Sequence, residues 1–213
     1  MSKIRFERVT CPDCGYTGEY KVYDSINIDD ESKTNPMFKR KIIDNSLFLY
    51  TCSRCLSKYY IEYPFLYNDV KNNFMVWCLP DNATQAEIDN IKKVDMRTYK
   101  GILRIVIGKF DFIDKLNVFE NKLDDIAIES IKTFVFSKVD KEERREIKSI
   151  MFNGLNMENK TLEFVFIKDQ EQTKMMSVPF EFYGQIKNML KEKEIKGFEI
   201  IDQASYSAFV END

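Results

Sequence analysis

Two short cysteine pairs constrain this chain more than anything else in it: Cys11-Pro12-Asp13-Cys14 and Cys52-Ser53-Arg54-Cys55. A C-x-x-C turn aims two sulfurs at one point. Two such turns brought together offer four ligands to one tetrahedral ion, and zinc at about 2.3 Å from each sulfur is the expected occupant. The chain contains no histidine, which removes the mixed Cys/His zinc patterns and the commonest acid–base group. The expected centre is therefore one structural Zn²⁺ held by Cys11, Cys14, Cys52 and Cys55. Residues 15–51 separate the pairs, a longer connection than compact zinc modules use. Lengthening it from about 17 residues costs only about 0.7 kcal/mol of closure entropy, against about 10–16 kcal/mol from structural zinc in small peptides. The fifth cysteine, Cys78, ends an apolar stretch and is expected to be a packing residue.

A net charge of −3 is a poor basis for non-specific attraction to phosphate backbones. Hydrophobic residues make up 44% of the chain and aromatic ones 14%, the composition of a globular protein. No run approaches the roughly 20 apolar residues of a membrane span. Charges are scattered through Met1-Ser2-Lys3-Ile4-Arg5-Phe6-Glu7-Arg8, so no signal-peptide core is expected there. The expected location is the cytoplasm, with no membrane partner, where reduced thiols favour metal over disulfides.

Alternation over Ile4–Val9 reads as a strand feeding the first cysteine pair, with Gly15 supplying the left-handed position after it. A second strand runs through Tyr20, Val22 and Ser25-Ile26-Asn27, and Asp29-Asp30-Glu31-Ser32 is a polar break. Asn35-Pro36 opens a short helix. Leu47-Phe48-Leu49-Tyr50 enters the second pair as a strand, and Tyr59-Tyr60-Ile61-Glu62-Tyr63 leaves it as another. Phe65-Leu66-Tyr67 and Phe74-Met75-Val76-Trp77 flank a turn. Strand, cysteine turn, strand, twice over, is the pattern of a zinc ribbon, expected over residues 1–80. Ala86, Ile88, Ile91 and Val94 suggest a helix, and Leu103–Ile107 a strand. The series Phe112, Leu116, Phe119, Leu123 and then Leu123, Ile126, Ile131, Phe134 give two more helices with apolar core stripes, Asp124 or Asp125 capping the second. The mixed-charge run Lys138–Lys148 reads as a solvated helix or linker. Beyond it come strands at Ile150–Gly154, Leu162–Ile167 and Lys174–Val178, a helix over Phe182–Leu190 and a closing strand at Phe198–Ile201. The expected class is α+β: residues 1–138 as one domain, with helices and one strand over 81–138, and a β-rich C-terminal segment over 139–213.

Several of these stretches together resemble the CpXC-domain family of bacteria and archaea, named for its paired cysteine motifs. They are Cys11-Pro12-Asp13-Cys14-Gly15, Tyr23-Asp24-Ser25-Ile26-Asn27, the pair at Cys52 and Cys55, and Tyr63-Pro64-Phe65-Leu66-Tyr67-Asn68-Asp69. Leu103-Arg104-Ile105-Val106 and Phe119-Glu120-Asn121-Lys122-Leu123-Asp124-Asp125 continue the likeness, which covers roughly residues 9–136. The resemblance implies a four-cysteine metal site and no established activity. Leu56 and Lys122 stand where glycine is expected, so each must bend the chain at a cost on the order of 1–2 kcal/mol.

No catalytic residue can be nominated. Asp24, Asp69, Asp124 and Asp125 lie at turns and helix starts, where capping explains them, and there is no phosphate-binding glycine loop or nucleophile elbow. Cys11-Pro12-Asp13-Cys14 also resembles the active loop of a disulfide oxidoreductase, but Gly15-Tyr16-Thr17-Gly18 is a poor helix start, and a second pair has no part in that chemistry. The expected function is a non-catalytic, zinc-stabilised module that binds another protein. The alternative is a nucleic-acid-associated zinc ribbon using Arg54, Lys58 and Tyr59, where positive charge stands beside aromatic rings. An enzyme with thiol redox activity ranks below both.

Overall fold

The computed structural model describes residues 2–28, 35–168, 171–190 and 195–202, and the chain divides into two compact units, Met1–Lys109 and Phe110–Asp213. It is an α+β protein, as the sequence patterns imply. No described helix is long and apolar enough to cross a membrane.

The first unit is built on a five-stranded mixed sheet. Strand β1 (Lys3–Thr10) pairs antiparallel with β2 (Thr17–Ile28), and β2 runs parallel to β5 (Phe65–Asp69). Strand β5 pairs antiparallel with β6 (Phe74–Leu79), which runs parallel to β7 (Ile102–Ile107). Parallel neighbours cannot be joined by a tight turn and need a crossover of a dozen or more residues. The β2–β5 crossover carries α1 (Asn35–Ile43), a 3-10 turn over Ser46–Phe48, and a small hairpin of β3 (Leu49–Thr51) and β4 (Lys58–Tyr60). The β6–β7 crossover carries α2 (Gln85–Lys92), held at its start by a reciprocal Thr84–Glu87 capping box. The distance in sequence between the cysteine pairs follows from this topology. One pair sits at the tip of the β1–β2 hairpin, and the other within the crossover.

Alternate residues of β2, β5 and β6 face inward, among them Val22, Ile26, Phe65, Tyr67, Phe74 and Val76. A train of rings ties the small hairpin to that core: Tyr59–Tyr50 at 5.0 Å between centroids, Tyr50–Tyr20 at 5.9 Å, Tyr20–Tyr63 at 6.2 Å, Tyr63–Phe48 at 5.3 Å and Phe48–Phe65 at 5.8 Å. These are tilted and edge-on contacts, the geometry that ring quadrupoles favour. Leu47 and Phe48, expected in a strand, instead form the 3-10 turn, where the Leu47 carbonyl accepts the Tyr20 hydroxyl at 2.9 Å. The polar break at Asp29–Ser32 lies outside the described residues.

Helix α3 (Gly108–Glu120) begins directly after β7. Gly108 has φ +81, and a Cβ there would stand 2.1 Å from the Asp81 Oδ1. In the second unit α4 (Asp125–Ser137) follows after a left-handed Lys122 (φ 55), the residue standing where glycine is expected. Asp124 is the cap, its carboxylate accepting from the amides of Ile126 and Ala127. A short helix α5 (Lys141–Arg144) lies within the mixed-charge run, and the expected segment boundary near residue 138 coincides with the C-cap of α4, inside the second unit. Strands β8 (Ser149–Asn156), β9 (Thr161–Lys168) and β10 (Glu171–Pro179) form an antiparallel sheet with β9 central, and α6 (Phe180–Met189) follows. The closing strand expected at Phe198–Ile201 is not formed: Glu199 alone makes a bridge, though Phe198 and Ile201 are buried.

The apolar stripe assigned to α4 needs one correction. Leu123 and Ile131 are buried, but Phe134 is 41% exposed, and Asp125, Glu129 and Lys132 are buried as well, so the helix also turns charge inward. Lys132 bonds Asp114 at 2.5 Å and Glu129 at 2.9 Å; Lys115 bonds Glu129 at 2.9 Å and Asp125 at 3.3 Å. The second Asp114 oxygen accepts the Phe152 amide of β8 at 2.6 Å. Burial alone would lower both ammonium pKa values. For Lys132 the Asp114 and Glu129 carboxylates, and for Lys115 those of Glu129 and Asp125, reverse this and hold each above its ordinary value. Asp111, one turn before Lys115 in α3, is left over. Burial, then Asp114, push its carboxyl up from 3.8 to about 7.

Removing one partner from such a network strands a charge in a dry site. Lys132→Met should cost roughly 3–5 kcal/mol in chemical denaturation. Asp111 makes the opposite contribution to the usual surface carboxylate. Between about pH 4 and pH 7 the folded state binds a proton that the unfolded chain has lost, so stability falls as pH rises through that window. Asp111→Asn should remove this fall, leaving the variant more stable than wild type above pH 7 and matched to it near pH 4.

Candidate metal centre

Both cysteine turns are built alike. In the first, the Cys11 amide bonds the Tyr16 carbonyl at 2.8 Å and the Gly15 amide bonds the Cys11 carbonyl at 2.9 Å. In the second, the Cys52 amide bonds the Ser57 carbonyl and the Leu56 amide bonds the Cys52 carbonyl, each at 2.9 Å. Each turn closes through a left-handed residue, Gly15 at φ 67 and Leu56 at φ 63. Leu56 holds that conformation with its side chain 71% exposed, so no packing explains the leucine. In the first turn no helix follows the cysteines, and β2 begins at Thr17.

The two turns face each other. The Sγ atoms of Cys11 and Cys55 are 3.6 Å apart, those of Cys14 and Cys52 are 3.7 Å apart, and all four lie within 4.8 Å of one another. A tetrahedral ion bound at about 2.3 Å to four sulfurs requires an edge of about 3.8 Å. The spacing fits, and the donor set consists of four soft sulfurs. Cys11 and Cys52 are buried, Cys14 is partly buried, and Cys55 reaches the surface. Hydrogen bonding with the Ser57 hydroxyl, at 3.2 Å, and with the Ser57 backbone draws the Cys55 thiol down to about 6. The Tyr16 amide would lower Cys14, but burial and the other three sulfurs push it up to about 12.

Tyrosines wall the cluster. Burial, reinforced by the nearby cysteines, raises Tyr50, and burial followed by Cys11 raises Tyr59 to about 12. Arg54 and Lys58 are exposed on the second turn. Tyr59 packs its ring on Tyr50 and buries its hydroxyl, while Tyr60, its neighbour in β4, is 59% exposed. Cys78 is buried in β6, with its sulfur 3.8 Å from the Gly108 carbonyl.

The aspartates of the shared motifs are engaged elsewhere. Asp24 accepts from Arg5 at 2.6 Å, Asp69 bonds the amide and side chain of Asn72, Asp124 caps α4, and Asp125 pairs with Lys115. Ser57 is the site residue that sequence reading missed. Its signal is its place, two residues after the second cysteine of its turn, as Tyr16 is after Cys14.

A family model described as CpXC protein matches residues 9–132, more than half of the chain. Searches of curated proteins and of solved structures returned no match.

The matched turns predict opposite responses to exchange at one position. At Gly15 a Cβ would meet nothing within 4 Å, so Gly15→Ala should carry only the backbone cost and lose about 1 kcal/mol of stability. Leu56→Gly should gain about as much in the same thermal melt.

Proposed function

Because the chain belongs to the CpXC family and gathers four cysteines into one cluster, we propose that it is a zinc-stabilised, non-catalytic module that binds another protein. The single observation carrying this reading is the closed sulfur cage. Cys11, Cys14, Cys52 and Cys55 supply every position of a tetrahedral ion, leaving none for a catalytic water or substrate. Zn²⁺ suits four thiolates and has no redox chemistry of its own. Bound there, it would cross-link the β1–β2 hairpin to the β2–β5 crossover. The buried carboxylates argue in the same direction, since Asp114, Asp125 and Glu129 are neutralised by lysines inside the fold.

A nucleic-acid role has a narrower basis. Arg54 and Lys58 are exposed on the second turn, but Tyr59 is engaged with Tyr50, leaving Tyr60 as the ring available for stacking.

Elemental analysis and native mass spectrometry should find one zinc per chain. Cys11→Ser and Cys52→Ser should lose it and destabilise the first unit to a similar degree, and a sharp difference between them would rule out a shared ion. The metal-loaded chain should copurify with a protein partner and pass through immobilised DNA or RNA without salt-sensitive retention. Retention that is weakened by Arg54→Glu with Lys58→Glu would favour the alternative.

A further inference from the structure

Strand β1 is anomalous. It has eight residues, seven of them exposed, and it is the edge of the five-stranded sheet, paired only with β2 among the described residues. Its partner strand is anchored through Tyr20 and Val22, yet β1 itself reaches no core. On one face it shows Ile4, 43% exposed, and Phe6, 62% exposed; on the other, Arg5 and Glu7 lie side by side in a salt bridge, with Arg5 also held by Asp24. A strand exposed on both faces, with a row of unpaired amides and carbonyls along its edge, is a template for another strand.

We propose that the occupant of this edge is β1 of a second copy of the chain, paired antiparallel about a two-fold axis at Phe6. The argument is charge complementarity in a fixed register. A two-fold axis normal to the sheet matches residues of the same face, so the copies can slide only in steps of two. Centred on Phe6, the pairing sets Arg5 opposite the partner's Glu7, Glu7 opposite the partner's Arg5, and the two Phe6 rings together. Ile4 then lies against the aliphatic stem of the partner's Arg8, and Lys3 opposite the partner's Val9. No like charges meet. A shift of one step puts Arg5 opposite Arg5 or Glu7 opposite Glu7, and one further step toward the hairpin tip puts Arg8 opposite Arg8. Like charges directly opposite are destabilising, so a strand whose charges otherwise discourage edge pairing admits this one register. Arg5 and Glu7 of both copies would form an alternating four-charge square continuous with Asp24. The result is a ten-stranded sheet through two molecules. A single strand pair buries less than the roughly 1,200 Å² of stable interfaces, so the dimer is a weak, concentration-dependent one.

This surface goes beyond the metal-stabilised reading and does not use the sulfur cluster, so the two fail separately. The test is sedimentation velocity of the metal-loaded full chain over micromolar concentrations, with metal content and circular dichroism confirming that each variant is folded. Wild type should show a monomer–dimer equilibrium. Glu7→Arg alone and Arg5→Glu alone should each weaken it at least tenfold, because each puts like charges opposite. Mixed in equal amounts, the two variants should dimerise again, since every pair in that mixed dimer is complementary. Phe6→Asp should abolish dimerisation. A wild type that stays monomeric, a dimer indifferent to Glu7→Arg, or a mixture that does not restore association would each overturn the proposal. A chain that dimerises in this way yet binds no zinc would count against the zinc reading alone.

Discussion

Parallel pairing of β2 with β5 is the constraint from which the first unit follows. Adjacent parallel strands force the chain to travel the length of the sheet before it can return, and everything between them must be accommodated along the way. This protein uses that obligatory excursion to carry α1 and the β3–β4 hairpin, with the second cysteine turn at its tip. The first turn sits just before the start of β2 itself. Two segments far apart in sequence are thereby delivered to one point by backbone topology, and the tyrosine and phenylalanine rings behind the hairpin fix its approach. The sulfur cluster completes a convergence that strand pairing and ring packing have already set up.

The second unit solves a different problem. Its helices α3 and α4 meet through alternating charges: two lysines, three carboxylates and one backbone amide from β8. Such a network contributes little net stability over apolar packing, because desolvation consumes most of the Coulombic gain. It is, however, intolerant of misalignment. An apolar helix face can slip by a turn and still find contacts, whereas α4 displaced by one turn takes Lys132 away from Asp114 and both Glu129 and Asp125 away from Lys115. The geometry of α3 against α4 is specified by electrostatics, with Phe112, Leu116, Ile128 and Ile131 filling the space around it.

What was legible in the sequence was whatever had a local cause. Paired cysteines, the αL positions at Gly15 and Leu56, the cap at Asp124, and strands with branched or aromatic alternation each declare themselves within a few residues. The stripe Phe112, Leu116, Phe119, Leu123 was readable because all four are apolar and all four are buried. What stayed hidden depended on distant partners. Asp125, Glu129 and Lys132 recur at helical spacing like a solvated face, and only Lys115 and Asp114 on α3 offset the cost of their burial. Phe134, read as core, was displaced by that same choice of face. The 3-10 turn at Ser46–Phe48 was missed because Leu47-Phe48-Leu49-Tyr50 has strand composition, and its conformation is set by the hydroxyl of Tyr20 reaching across from β2. Parallel pairing of β2 and β5 likewise leaves no mark on either strand alone.

The placement of the second cysteine turn inside a crossover has a consequence for the chain during its synthesis. Cys11 and Cys14 leave the ribosome first, and at about 5–20 residues per second the second pair follows roughly two to eight seconds later. In that interval the leading pair is half a coordination sphere, able to bridge to a foreign thiol or share an ion with some other nascent protein. The β1–β2 ladder can form during the wait, but β5, which gives β2 its parallel neighbour, emerges only after the second pair. Translation order therefore makes the first cysteine turn wait for the crossover that carries its partner turn.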